Sequence, residues 1–253
     1  SESIVFAANG DYYVGHPDGD ANIQRYNSAD VYQQSYNVAV EARGSDWMDL
    51  ASDQKTMFYT SEGRKIKKYD VSGAGAQLAD FADLTGVDPV GTLFALRLLP
   101  PGDGTGGLLV ADSDDIKRLD GAGAVAQTYD AAGVNGWFSL NLDPNGTSFW
   151  AGDSFTNNFY RFDIATGALE IGPIVTGGSL FGLCLKGEPT AGVPSVEVEK
   201  NYRFTNVCFE KDNDGDGEFS EDPVDFDLLT GAGIDNDGDG LVNEYDVDSP
   251  GGT

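Results

Sequence analysis

The sequence is short of the residues that most hydrolytic and metal centres are built from. It holds a single histidine, His16, so Ser-His-Asp, Cys-His and histidine-rich zinc sites lack their usual parts. Methionine, lysine and long helix-forming runs are scarce. No apolar run is long enough to span a bilayer, so no membrane insertion is expected. Two cysteines, Cys184 and Cys208, can pair in an oxidising compartment or stay as buried thiols. Positive charge is scarce too: 15 Lys and Arg stand against 42 Asp and Glu, a net charge of −27. Such a field repels phosphate backbones and attracts cations, which excludes nucleic acid and anionic membrane surfaces as expected partners.

What is present is Gly, Tyr, Phe and Val, the composition of an all-β protein with many tight turns. An internal repeat decides the architecture. A basic residue, an aromatic or Leu, then Asp or Asn recurs as Arg25-Tyr26-Asn27, Lys68-Tyr69-Asp70, Arg118-Leu119-Asp120 and Arg161-Phe162-Asp163, at spacings of 43, 50 and 43. A turn-rich insertion, Pro100 to Gly107, accounts for the long spacing. In each copy an apolar strand comes first (Ile4–Ala8, Trp47–Leu50, Phe94–Leu98, Phe138–Leu142). A second follows (Tyr12–Val14, Met57–Tyr59, Leu108–Val110, Ser148–Trp150). The third ends at the repeated triplet, and a polar fourth follows a turn, as in Gln34–Val38 and Val125–Tyr129. Four short strands in about 43 residues is the signature of a propeller blade.

These units resemble the blades of NHL, YVTN and SMP-30-like β-propellers, with Val110-Ala111-Asp112 through Ile116-Lys117-Arg118-Leu119-Asp120 the best match. The resemblance runs from residue 4 to about 187 and implies the architecture without an activity. The repeat itself gives four full units and then a fifth opening strand, Leu180–Leu185, whereas propellers built from such units usually have six or seven blades. Three arrangements stay open. The strands at 196–199 and 202–209 complete a fifth blade, bridged by Cys184 and Cys208; the four units close alone; or an open arc is completed by another subunit. The Pro- and Gly-rich stretch 187–194 marks a boundary, giving a propeller at 1–187, a linker with strands at 188–209, and a final region at 210–253.

That final region is the most acidic. Residues 188–253 carry 18 acidic and 3 basic side chains. Two Asp-rich loops, 23 residues apart, have the alternating carboxylates and turn glycine that Ca2+ requires. The second offers Asp235, Asp237, Asp239, the Leu241 carbonyl and, at position twelve, Asp246, and it resembles dockerin and EF-hand loops. The first offers Asp212, Asp214, Asp216 and Glu218 but has Pro223 at position twelve. Aligning the loops pairs Glu221 with Glu244, so these are expected as further ligands. The loops also resemble excalibur-type and thrombospondin type 3 motifs. The expectation is a helix-poor extension holding two Ca2+ ions, whose role is structural.

Further candidates carry less. SMP-30-like lactonases hold a channel metal by Glu, Asn and Asp, a set that cannot be aligned here. His16 is expected in a surface turn. Trp47, Phe94, Trp137, Phe138 and Trp150 are expected as core, with a sugar platform at Trp47 or Trp137 as the alternative. Asn145-Gly146-Thr147 is a glycosylation sequon on a turn. A chain opening Ser1-Glu2-Ser3 fits a processed product or a fragment. The sequence therefore points to a secreted or cell-surface structural or binding protein. It would be stabilised by calcium and self-associate, as in a filament, or bind another surface protein or a glycan. A lactonase-like metal-dependent hydrolase is the rival.

Overall fold

A computed structural model describes residues 3–20, 22–178 and 180–189, all within one compact unit spanning Ser1–Val193. The Asp-rich loops expected to bind Ca2+, Cys208 and the strands expected at 196–199 and 202–209 lie outside the described residues.

The protein is an all-β propeller of four blades, and no helix occurs among the described residues. Sheet 1 is β1 (Ser3–Phe6), β2 (Tyr12–Gly15), β3 (Ile23–Tyr26) and β4 (Tyr32–Tyr36). Sheet 2 is β5 (Met48–Leu50), β6 (Thr56–Tyr59), β7 (Lys65–Asp70) and a fourth strand broken into β8 (Ala76–Gln77) and β9 (Ala82–Asp83), both on β7. Sheet 3 is β10 (Leu93–Leu98), β11 (Leu108–Asp112), β12 (Asp115–Leu119) and β13 (Val125–Tyr129). Sheet 4 is β14 (Trp137–Leu142), β15 (Ser148–Asp153), β16 (Asn158–Asp163) and β17 (Leu169–Val175). Every pairing is antiparallel and follows chain order.

The repeated triplet is explained residue by residue. Its acid or amide caps the next turn: Asn27 Oδ1 accepts from the Ala29 and Val31 amides, Asp70 from Ser72, Asp120 from Ala122 and Ala124, and Asp163 from Thr166. In sheets 2, 3 and 4 its middle residue, Tyr69, Leu119 or Phe162, lies in the apolar layer toward the preceding sheet. Two equivalent tyrosines at the ends of fourth strands tie one blade to the next. The Tyr36 hydroxyl donates to the Val71 carbonyl at 2.5 Å, and that of Tyr129 to the Ile164 carbonyl at 2.6 Å.

Three apolar layers fill the spaces between successive sheets. Each sheet thus has a front, toward the preceding sheet, and a rear, toward the following one. Tyr13, Ile23 and Tyr36 on the rear of sheet 1 meet Met48, Leu50, Met57, Tyr59 and Tyr69 on the front of sheet 2. Phe58 and Ile66 meet Leu96, Leu98, Leu108, Val110 and Leu119 of sheet 3. Leu109, Ala111, Ile116 and Tyr129 meet Leu140, Leu142, Phe149, Ala151 and Phe162 of sheet 4. Each buried Leu or Phe contributes on the order of 1.5–3 kcal/mol.

One expected element is corrected. Residues 180–185 form no strand. Blades meet face to face, so β14 offers this segment side chains rather than a hydrogen-bonded edge, and no strand pairs with it among the described residues. It crosses the rear of sheet 4 as irregular chain, with Leu180 buried beside Gly152. A methyl group on Gly152 would stand 2.9 Å from the Leu180 side chain and 2.4 Å from Ser139 Oγ, so only glycine leaves room there.

Candidate functional site

Charged and polar side chains converge in two places. The first is built from one register position repeated in four blades. On the inner strands this position is Val5, Asp49, Arg97 and Asn141. Glu188, from the stretch read as a plain linker, joins the last two. Its carboxylate accepts from Arg97 Nε at 2.8 Å, Asn141 Nδ2 at 2.5 Å and the Leu142 amide at 2.7 Å. Asp49 accepts from the Leu98 amide at 2.8 Å. Burial drives the Asp49 carboxyl up to about 6, against the pull of Arg97, and the Glu188 charge adds to the rise.

The second lies at one end of sheet 3. The carboxylates of Asp88, Asp112 and Asp115 lie close enough to share a metal ion. The chain supplies its own cations there. Lys117 Nζ sits 2.8 Å from Asp88 and 2.9 Å from Asp112 and also contacts Asp115. Arg64, reaching over from sheet 2, grips both oxygens of Asp112 at 2.5 and 2.8 Å. Burial pulls the Lys117 ammonium down, but its bonds to the three carboxylates outweigh this and raise it above the ordinary lysine value. The Lys117 bond lowers Asp88, whereas burial raises Asp115. Gly91, at φ +101°, lies where a Cβ would strike Asp112 at 2.3 Å. This is a closed ion network between sheets 2 and 3, and its donor set does not fit an added divalent cation.

A third feature is apolar. On the front of sheet 1, Phe6, Tyr12, Tyr26 and Tyr32 form a ladder across registered strand partners, with ring centroids 5.7, 5.2 and 5.8 Å apart. By register, Ile4, Phe6, Tyr12, Val14 and Tyr26 correspond to Met48, Leu50, Met57, Tyr59 and Tyr69, to Leu96, Leu98, Leu108, Val110 and Leu119, and to Leu140, Leu142, Phe149, Ala151 and Phe162. All fifteen counterparts are buried, yet Ile4 and Phe6 are 57% and 69% exposed and Tyr12, Val14 and Tyr26 are half-buried.

The remaining expectations sort as follows. Asp212, Asp214, Asp216, Glu218, Glu221, Asp235, Asp237, Asp239, Leu241, Glu244 and Asp246 all lie outside the described residues. Cys184 is exposed, and with Cys208 outside the described residues their pairing stays an expectation. Asn145 lies exposed on the β14–β15 turn, its amide bonded to Thr147 and Ser148. His16 is half-buried just after β2, its Nε2 shielded and its backbone amide donating to Ser45 Oγ at 3.1 Å. Trp47 and Trp137 are buried and leave no exposed ring for a sugar. Phe94 and Phe138 pack against the layer between sheets 3 and 4, as expected of core. Sequence reasoning missed Arg64, Lys117 and Glu188. Asp112 stands in the repeated motif, but Arg64 joins it from 48 residues away.

No family model and no curated protein matches this sequence. Solved structures do match. The chain is similar to a streptogramin B lyase structure, with a TM-score of 0.51 and 15% identity over 68% of this chain and 54% of that one. It is also similar to a protein of unknown function from Bacteroides caccae, with a TM-score of 0.51 and 11% identity over 70% of this chain and 61% of that one. At these identities the likeness shows the propeller fold alone. The chain spans 54% and 61% of the lengths of these two structures.

Proposed function

We propose that this chain is a non-enzymatic assembly subunit, secreted or displayed at a cell surface, that works through an uncovered blade face. The observation that carries the reading is the exposure of Ile4 and Phe6 at positions buried in every other blade. A contiguous apolar patch of this kind marks an interaction surface. Both clusters support a structural role, since their carboxylates are already taken by Arg64, Lys117, Arg97, Asn141 or backbone amides. The acidic loops at 212–223 and 235–246 are read as two Ca2+ sites that order residues 210–250.

The test is native mass by light scattering, with Ca2+ and with EDTA. Self-association in Ca2+ is expected, with EDTA making residues 210–250 sensitive to protease while 3–178 stays resistant. A monomer in both conditions defeats the assembly reading. The rival hydrolase has Asp49 in its favour, a buried carboxyl poised near neutral pH. Metal-dependent lactone hydrolysis abolished by Asp49→Asn would establish it.

A further inference from the structure

The front of sheet 1 is not the only under-covered face. Tyr13, Ile23 and Tyr36 on the rear of sheet 1, Phe58 and Ile66 on sheet 2, and Leu109, Ile116 and Tyr129 on sheet 3 are at most 3% exposed. Their sheet 4 counterparts, Trp150, Phe159 and Ile174, are only half-buried. The Leu180–Phe181 stretch covers the β14 side of that face but itself leaves Phe181 63% exposed. One end of the blade series thus presents a bare front and the other a partly bare rear.

We infer that the occupant of the sheet 1 front is the sheet 4 rear of a second copy, and that two chains close head to tail into one eight-bladed ring. This rests on the assembly reading above. Three observations converge on it. In all three blade contacts within the chain, what covers a front is a rear. The strand residues of the front, Ile4, Phe6, Tyr12, Val14, Gln24, Tyr26 and Tyr32, are uncharged, and the nearest carboxylates, Asp30 on the Tyr12 hydroxyl and Asp20 on Gln24, stand at its rim, so the face itself adds no charge to repel a second copy. The part of the chain that matches covers only 54% and 61% of the two similar structures, so one copy falls short of a structure of that size and a second copy can supply the remaining blades. Eight blades lies within the usual range for propellers. A head-to-tail contact must close or run on as a filament, and closure by two copies makes the second contact intramolecular, which favours the ring.

The experiment uses the full 253-residue chain at physiological salt. One variant breaks the front (Phe6→Glu), another the rear (Phe159→Glu), with Ile4→Glu and Ile174→Glu as second choices should either fail to fold by circular dichroism. Wild type is expected at twice the 26.8 kDa chain mass. Each variant alone is expected as a monomer, and an equimolar mixture as a dimer, because one intact front then meets one intact rear. If the rear variant stays dimeric alone while the front variant does not, fronts pair with fronts; the ring is overturned and the assembly reading stands. Wild-type species larger than two chains overturn closure. A wild-type monomer overturns both.

Discussion

The fronts of sheet 1 and sheet 3 use the same five register positions with opposite outcomes. Leu96, Leu98, Leu108, Val110 and Leu119 are at most 2% exposed under sheet 2, whereas Ile4 and Phe6 face solvent. Residue type does not separate them, since both sets are large and apolar. The difference lies in what stands opposite. It shows that in a propeller the blade is not the unit of stability; the contact between blades is. The covered front of sheet 3 also carries a polar clasp. Asp112, at the end of β11, is gripped by Arg64 of sheet 2, while the matching position of sheet 1 is His16.

Removing that clasp should separate the two fronts most. Asp112→Ala leaves Lys117 and Arg64 short of a buried counter-charge and is expected to cost about 3–5 kcal/mol in urea unfolding. A loss below ~1 kcal/mol would mean the cluster is hydrated and the clasp incidental. Next comes truncation of matched apolar residues. Leu108→Ala should cost about 2–5 kcal/mol. Tyr12→Ala, measured at concentrations where the chain is monomeric, should cost only about 0.5–1.5 kcal/mol, the worth of its ring contacts with Phe6 and Tyr26. Equal losses would show that the sheet 1 front is covered after all.

The smallest effect concerns the inner-strand position that is Val5 in sheet 1 and Asp49 in sheet 2. Asp49 binds its proton more tightly folded than unfolded. Its favourable contribution is therefore complete below its ordinary value of 3.8 and is lost as pH rises through about 6. Carboxyls held low, such as Asp11 beside Arg25, run the other way, gaining stability as pH rises. Subtracting the pH profile of Asp49→Asn from that of wild type isolates the Asp49 effect. The difference should decline between pH 4 and 6; a flat difference would show that Asp49 is hydrated.

Much of this fold can be read from residues. The triplets Arg25-Tyr26-Asn27, Lys68-Tyr69-Asp70, Arg118-Leu119-Asp120 and Arg161-Phe162-Asp163 mark third strands because each ends in a side chain that caps its own turn, a local interaction. Non-local features were hidden. Leu180–Leu185 has the apolar pattern of a strand, but a pattern does not provide a pairing partner. Glu188 sits between Gly187 and Pro189, as a linker residue would, and only the folded arrangement brings Arg97 to it from 91 positions away. The candidate faces were equally illegible, because Phe6 and Leu50 look alike until something is or is not placed over them.

The Tyr12–Tyr26 stack, 5.2 Å between centroids and only 7° from parallel, gives the uncovered front an optical consequence. Two phenol rings so close and so nearly parallel couple their transitions, and the coupled band is sensitive to the polarity around them. With Tyr32 edge-on to the same pair, the face carries its own chromophore. Near-ultraviolet circular dichroism can therefore follow whatever approaches this sheet without a label.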